Sequence, residues 1–351
     1  MNTIDVDVLV LGLGPAGASA AAQAARAGCT VLAIERKQVA GIPVQCAEFV
    51  PAMIGMDVAD LASCVRQRIA TMSTTVEDDA PEIKENFPGH MLDRAAFDAQ
   101  LVAQAISAGA QCVLGVSARR VAADGATSLA DGRTIRPRLI IGADGPRSLA
   151  GRAIGQVNTK LVETRQITVP LNHAHEATDI FLSAGIPGGY GWLFPKGDVA
   201  NLGAGVNPDQ KQQLKGIVQR LHQQLIAQGR VSADVLGMTG GLIPVGGLLK
   251  PWGMMARTLV LLAGDAAGLT NPVTGAGISA AVHSGRLTGA AAAAALAGNA
   301  NAHHDYADEL EDVFGPALSR ARRRRETLAA RVPNKDDLRR GWIAYPQYWA
   351  A

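Results

Sequence analysis

Gly12, Gly14 and Gly17 stand in G-x-G-x-x-G spacing directly after the apolar run 8–11, and Glu35 closes the next apolar run, 31–34. These residue types suit a dinucleotide phosphate. Gly12 permits a tight turn and Gly14 lets a pyrophosphate approach the backbone, with Pro15 and Ala16 completing the turn. Gly17 lets the following helix lie close against the strand. The helix N-terminus then offers free N–H groups and a positive dipole end. Glu35, with Arg36 beside it in the same site, sits where an acid accepts hydrogen bonds from adenosine ribose hydroxyls. With 39 glycines in the chain, chance matches come easily. The strand before, the helix after and the placed acid favour a dinucleotide site over a turn that binds nothing.

Positioning these groups takes a large core, and 351 residues with 48% hydrophobic and 18% charged composition can build one. The formal charge of +2 gives no push toward nucleic acid. No run reaches the roughly 18 uninterrupted apolar residues of a membrane span, although peripheral association stays open. The chain enters a strand almost at once, which argues against a signal peptide. Cys29, Cys46, Cys64 and Cys112 include no C-x-x-C pair, and His303-His304 has no partners at ligand spacing. Reduced thiols, no metal and a cytoplasmic location are therefore expected.

Hydrophobic periodicity predicts an amphipathic helix over 92–109, short strands over 112–116, 118–122 and 127–129, and a buried strand over 139–141. Alternating segments at 161–171, 178–183, 190–195 and 199–206 predict an antiparallel sheet, followed by a helix over 209–228. A further buried strand, 258–262, precedes a glycine-bearing turn and an Ala-rich helix. The predicted organisation is a cofactor-binding domain in three pieces, 1–75, 90–155 and 256–298. An antiparallel substrate domain over 156–255 splits it, and a helical segment and tail follow over 299–351. Arg320 and 322–325 read as a solvated helix face, or less simply as a surface for an acidic partner or membrane. Two of the chain's four Trp, at 342 and 349, favour a tail that docks on the body.

Three glycine-and-acid turns recur in order, each after a buried strand: 12–17, Gly142-Ala143-Asp144-Gly145 and Ala263-Gly264-Asp265. In this the chain resembles the FAD-dependent oxidoreductases of the p-hydroxybenzoate hydroxylase fold, and within them the geranylgeranyl reductase-like family. The resemblance covers nearly the whole chain. It implies an α/β fold: a Rossmann-like FAD-binding domain of glutathione reductase type, an inserted antiparallel-sheet substrate domain and a C-terminal helical tail. It further implies that backbone at Asp144 and Gly145 passes the cofactor, and that Asp265, with Gly264, accepts from a ribityl hydroxyl. Gly275, Ala276, Gly277 and Ile278 would face the flavin edge, and Arg94 would lie near the phosphates. No second G-x-G-x-x-G unit stands at a strand end. The external reductant is therefore expected to be NAD(P)H or an electron-transfer protein.

On the substrate side, Tyr190, Trp192 and Phe194 fall on one face of a strand. They resemble the Y-x-W-x-F-P motif of geranylgeranyl reductases, which implies an apolar or planar substrate over the flavin. The related W-x-W-x-I-P motif of flavin-dependent halogenases differs at Tyr190 and Phe194. Pro43-Val44-Gln45-Cys46-Ala47-Glu48 resembles the P-x-x-C-x-E loop of the reductases. Cys46 is then a proton-transfer thiol or a small loop residue. Glu48 is a general acid if desolvated, or a surface carboxylate without a role. The resemblance implies reduction of a C=C bond in an apolar substrate. The alternatives are a monooxygenase acting on an aromatic molecule or a partner protein's Trp, and an FAD electron carrier or docking subunit.

Overall fold

The run Val8-Leu9-Val10-Leu11 lacks alternation, and a strand of that kind needs cover on both faces. A computed structural model describes residues 3–58 and 60–350. In it the strand Thr3–Leu11 lies inside an eight-stranded sheet, parallel to Val31–Glu35 on one side and Thr134–Gly142 on the other. Thr258–Leu262 and Gln111–Leu114 extend the parallel ladder outward. Trp252–Met255 adds an antiparallel edge. The helices Pro15–Arg26 and Ile278–Leu296 pack backbone to backbone because small residues meet. A Cβ on Gly285 would lie 2.2 Å from the Ala16 carbonyl oxygen, and one on Gly289 would lie 2.5 Å from that of Ala20.

A second, seven-stranded sheet runs in the order Gly237–Pro244, Leu161–Pro170, Val199–Val206, Gly191–Lys196, Ala177–Leu182, Thr71–Val76 and Glu82–Lys84. Helix Leu214–Ala227 covers one face through Ile217, Val218 and Leu225, against Leu193, Leu202 and Ala204. The other face carries Trp192 and Phe194. Gly203, opposite Trp192 in the ladder, makes room for the indole; a Cβ there would sit 2.4 Å from the ring. A small three-stranded sheet, Phe49–Pro51, Gly89–Leu92 and Val65–Ile69, lies near the aromatic face.

Two sequence-level expectations need correction. Thr71–Val76, read as part of the cofactor domain's first piece (1–75), pairs in parallel with Ala177–Leu182 in the second sheet. That sheet is therefore mixed rather than wholly antiparallel. Trp252–Met255, read as the end of the 156–255 segment, belongs to the first sheet. A strand's own pattern shows which face is buried but does not name its neighbour. The chain ends in the helices Ala302–Ala329, Lys335–Arg340 and Pro346–Trp349. Asn334 and Asp337 form a capping box on the second. Among the described residues, no helix is long and apolar enough to cross a membrane.

Candidate active site

The first glycine turn is closed by sterics. Gly12 adopts φ +92°, and a Cβ on Gly17 would stand 1.8 Å from the Gly12 carbonyl oxygen. Glu35 braces the turn: Oε2 accepts from the Leu13 N–H at 2.9 Å and Oε1 from the Lys37 N–H at 3.0 Å. Gly14 is different. A Cβ there would meet nothing within 4 Å, because Gly14, Pro15 and Ala16 face a cavity of about 530 Å³. Gly145, at φ +82°, opens on the same space, as do Ala143, Asp265, Gly275, Ala276, Gly277 and Ile278. The three distant corners therefore meet in one place. Gly12, Gly17, Glu35 and Gly264 stand behind this lining, and Arg36 is exposed at the strand end.

Asp144 supports its corner from behind. Its carboxylate turns onto the helix Leu149–Ala153, accepting from Ser148 Oγ, the Leu149 N–H at 2.6 Å and the Ala150 N–H at 3.4 Å. It shapes the corner and is not part of the cavity wall. Asp265 is part of that wall. Its Oδ1 accepts from Thr270 Oγ1 at 2.6 Å, and burial pushes its carboxyl above the ordinary range against that hydrogen bond. The open cradle at Gly14 and Gly145, the helix N-terminus beside it and the half-buried acid fit a flavin dinucleotide. Arg94 lines the cavity as well, with its guanidinium on Asp98 at 3.0 Å. Burial alone would lower its pKa, but Asp98 and the Cys46 side chain more than offset that, and Arg94 stays firmly protonated.

Glu48 is not a surface carboxylate. It is buried, at φ +72°, and both oxygens accept: from Lys196 Nζ at 2.8 Å each, from Asn201 Nδ2 at 2.8 Å and from the Arg94 N–H at 3.1 Å. A carboxylate so occupied anchors its loop. Cys46, half-buried, lines the cavity, and its Sγ accepts from the Glu48 N–H at 3.2 Å. Gln166 ties this loop to the aromatic strand: Nε2 donates to the Cys46 carbonyl at 3.2 Å, while Oε1 accepts from Trp192 Nε1 at 3.1 Å. Lys196, Asn201 and Gln166 were not singled out by the sequence reading. For Asn201 a signal existed, since it is the one polar side chain in a strand that is otherwise apolar or glycine.

Tyr190, Trp192 and Phe194 line the cavity together, with ring centroids 5.8 and 6.4 Å apart in sequence. The Tyr190 hydroxyl donates to the Thr274 carbonyl at 2.5 Å, and burial raises its pKa, so the phenol stays neutral. The tail supplies further wall. Trp342 lies 4.8 Å from Tyr190, ring to ring, and Ile343, Tyr348 and Trp349 face the same space. The arginine-rich stretch is a solvated face only at Arg322 and Arg323. Arg324 donates to the carbonyls of Tyr348 and Gln347, both at 3.1 Å, fixing the tail. Arg325 donates to Asn207 Oδ1 at 2.8 Å and to the Pro272 carbonyl at 3.3 Å. Burial pushes the Arg325 pKa down to about 10.

Glycine corners on a parallel sheet, meeting an aromatic sheet face across one cavity, define an FAD-dependent oxidoreductase. A family model described as Lycopene cyclase protein matches residues 7–168, and one described as Geranylgeranyl reductase catalytic domain matches residues 162–243. Digeranylgeranylglycerophospholipid reductase 2 of Methanopyrus kandleri is 36% identical over 325 residues, 85% of this chain and 80% of that protein. A digeranylgeranylglycerophospholipid reductase of Methanocella arvoryzae is 31% identical, covering 85% and 80%. The crystal structure of a geranylgeranyl bacteriochlorophyll reductase-like protein of Thermoplasma acidophilum superposes with a TM-score of 0.85. It is 26% identical and covers 96% of this chain and 90% of that one. PqsL of Pseudomonas aeruginosa, at TM-score 0.72 and 18% identity over 95% and 98%, shares the fold alone. The chain belongs to the geranylgeranyl reductase family.

Proposed function

We propose that this enzyme reduces a C=C bond in the apolar chain of a prenyl lipid. The relatives' names, digeranylgeranylglycerophospholipid reductases, support that substrate class. The observation that carries the reading is a single cavity with the cofactor cradle at Gly14, Gly145 and Asp265 and the aromatic wall of Tyr190, Trp192 and Phe194. A flavin held at Gly14, Gly145 and Asp265 would supply hydride chemistry to the double bond, with NAD(P)H or an electron-transfer protein as the external donor. The chain's own residues do the rest. The aromatic rings hold the apolar segment and exclude water, which makes the encounter effectively unimolecular. Cys46, which shares the cavity wall with Arg94, is the side chain placed to deliver the proton to the second carbon. Glu48, Lys196 and Gln166 keep the Cys46 loop in register with the rings.

A cavity of about 530 Å³ lies within the range that houses one drug-sized ligand. The flavin shares that space, so two whole prenyl chains do not fit beside it. The test is anaerobic turnover of the FAD-loaded enzyme with a chemical reductant and a prenyl lipid, followed by mass spectrometry. A gain of two hydrogens per double bond is expected. Product formed only with oxygen, and heavier by an oxygen atom, would overturn the reading.

A further inference from the structure

Most charged groups in the cavity wall are already answered: Arg94 by Asp98, Glu48 by Lys196 and Asp265 by Thr270. Arg320 is not. It is half-buried, lines the cavity beside the tail residues Trp342, Ile343 and Trp349, and lies 5.4 Å over the Trp349 ring. Among the described residues no carboxylate pairs with it. The single acid between positions 317 and 331, Glu326, is bound to Lys160 at 2.8 Å. Arg320 shares a helix face with Ala317 and Arg324. Ala317 also lines the cavity, and Arg324 is committed to the tail's carbonyls. The cavity thus presents an unanswered guanidinium beside an aromatic and aliphatic wall. A planar, bidentate donor of that kind matches a phosphate or carboxylate.

We infer that Arg320 anchors the anionic headgroup of an amphiphilic substrate whose apolar chain runs along Trp342 and Tyr190. This rests on the reductase reading above and adds to it a polarity: charged end at Arg320, reacting end at Cys46 and the flavin cradle. The arginines at 322 and 323, exposed on the same helix, add positive potential without touching the ligand.

Equilibrium dialysis of the FAD-loaded full chain tests this without turnover, using a prenyl diphosphate and the matching prenyl alcohol below their micelle concentrations. R320Q should weaken the diphosphate by at least about tenfold, as loss of a charge-assisted pair implies, and change the alcohol by less than about twofold. R320K should recover part of the loss, since it keeps the charge and loses the fork. Flavin content must stay at the parent value in both variants; loss of flavin would place Arg320 in the cofactor site and overturn the inference. Equal weakening of both ligands would also overturn it. So would inorganic pyrophosphate binding as tightly as the prenyl diphosphate, which would mark a free-anion site. Binding to vesicles of anionic lipid that R320Q abolishes, with the monomeric diphosphate unaffected, would mark a membrane contact instead. Failure of double-bond reduction, with the dialysis difference intact, would sink only the reductase reading.

Discussion

At Gly14 and Gly17, two glycines three positions apart do different work, and substitution separates them. A methyl on Gly17 runs into the Gly12 carbonyl, while one on Gly14 projects only into the cavity. G17A should therefore cost about 3 kcal/mol or more through overpacking against backbone. G14A should stay within about 1 kcal/mol of the parent and yet bind FAD poorly. Thermal unfolding of the flavin-free proteins, beside flavin titration, separates the two effects; equal flavin affinity in G14A and parent would contradict the cradle. This part of the site was legible because a turn's sterics are written within a few residues. The Glu48–Lys196 pair was not, since its partners stand 148 residues apart. Neither residue's neighbours announce a buried charge. At Asp144 the motif pointed to a corner formed by backbone, and what it left unsaid is that the carboxylate caps the helix Leu149–Ala153.

The strongest case at the level of elements is the tail. Leu338, Trp342 and Tyr345 enter the same cluster as Tyr190, Trp192 and Phe194. On its outer side the helix Lys335–Arg340 is strapped to the Thr71–Val76 hairpin. Lys335 pairs with Asp78 and Asp79, and Arg339 with Asp79 and Glu82. The hydrogen bond from Lys335 holds the Asp78 and Asp79 carboxyls below their ordinary pKa, and the bond to Asp78 leads in raising that of Lys335. Depressed carboxylates contribute stability above the unfolded aspartate value of about 3.9 and lose it as pH falls through their lower folded values. The raised lysine contributes below about 10.4 and loses its share as pH rises through its folded value. The strap should therefore hold across the neutral range and loosen below about pH 4. Being exposed, it should also weaken with salt. D79N, which removes an anchor of both cations, should make the tail more sensitive to limited proteolysis at pH 7. Global unfolding should scarcely move, and an unchanged cleavage rate would refute the strap. Sequence reading anticipated a docked tail from its clustered Trp residues. It could not see that the docked rings complete the cavity, because that depends on which surface they meet.

For the molecule as a whole, the two large sheets are not separable lengths of chain. The parallel strands Thr3–Leu11 and Val31–Glu35 build the first, yet Thr71–Val76, only a short way further on, serves the second. The return strands Trp252–Met255 and Thr258–Leu262 then close the first sheet again. The general architecture could be read from buried runs and glycine corners. The crossing at 71–76 could not, because pairing is decided by tertiary neighbours. One consequence concerns the exposed turn beyond Val76. A protease site inserted between Ala80 and Pro81 would sever the polypeptide into a short and a long piece. The short piece would keep strands in each sheet, woven through the long one. After digestion, a denaturing gel should show two bands, while gel filtration should return one yellow species of unchanged size. Pieces that drift apart on the column would show that the weave is too weak to replace the lost peptide bond.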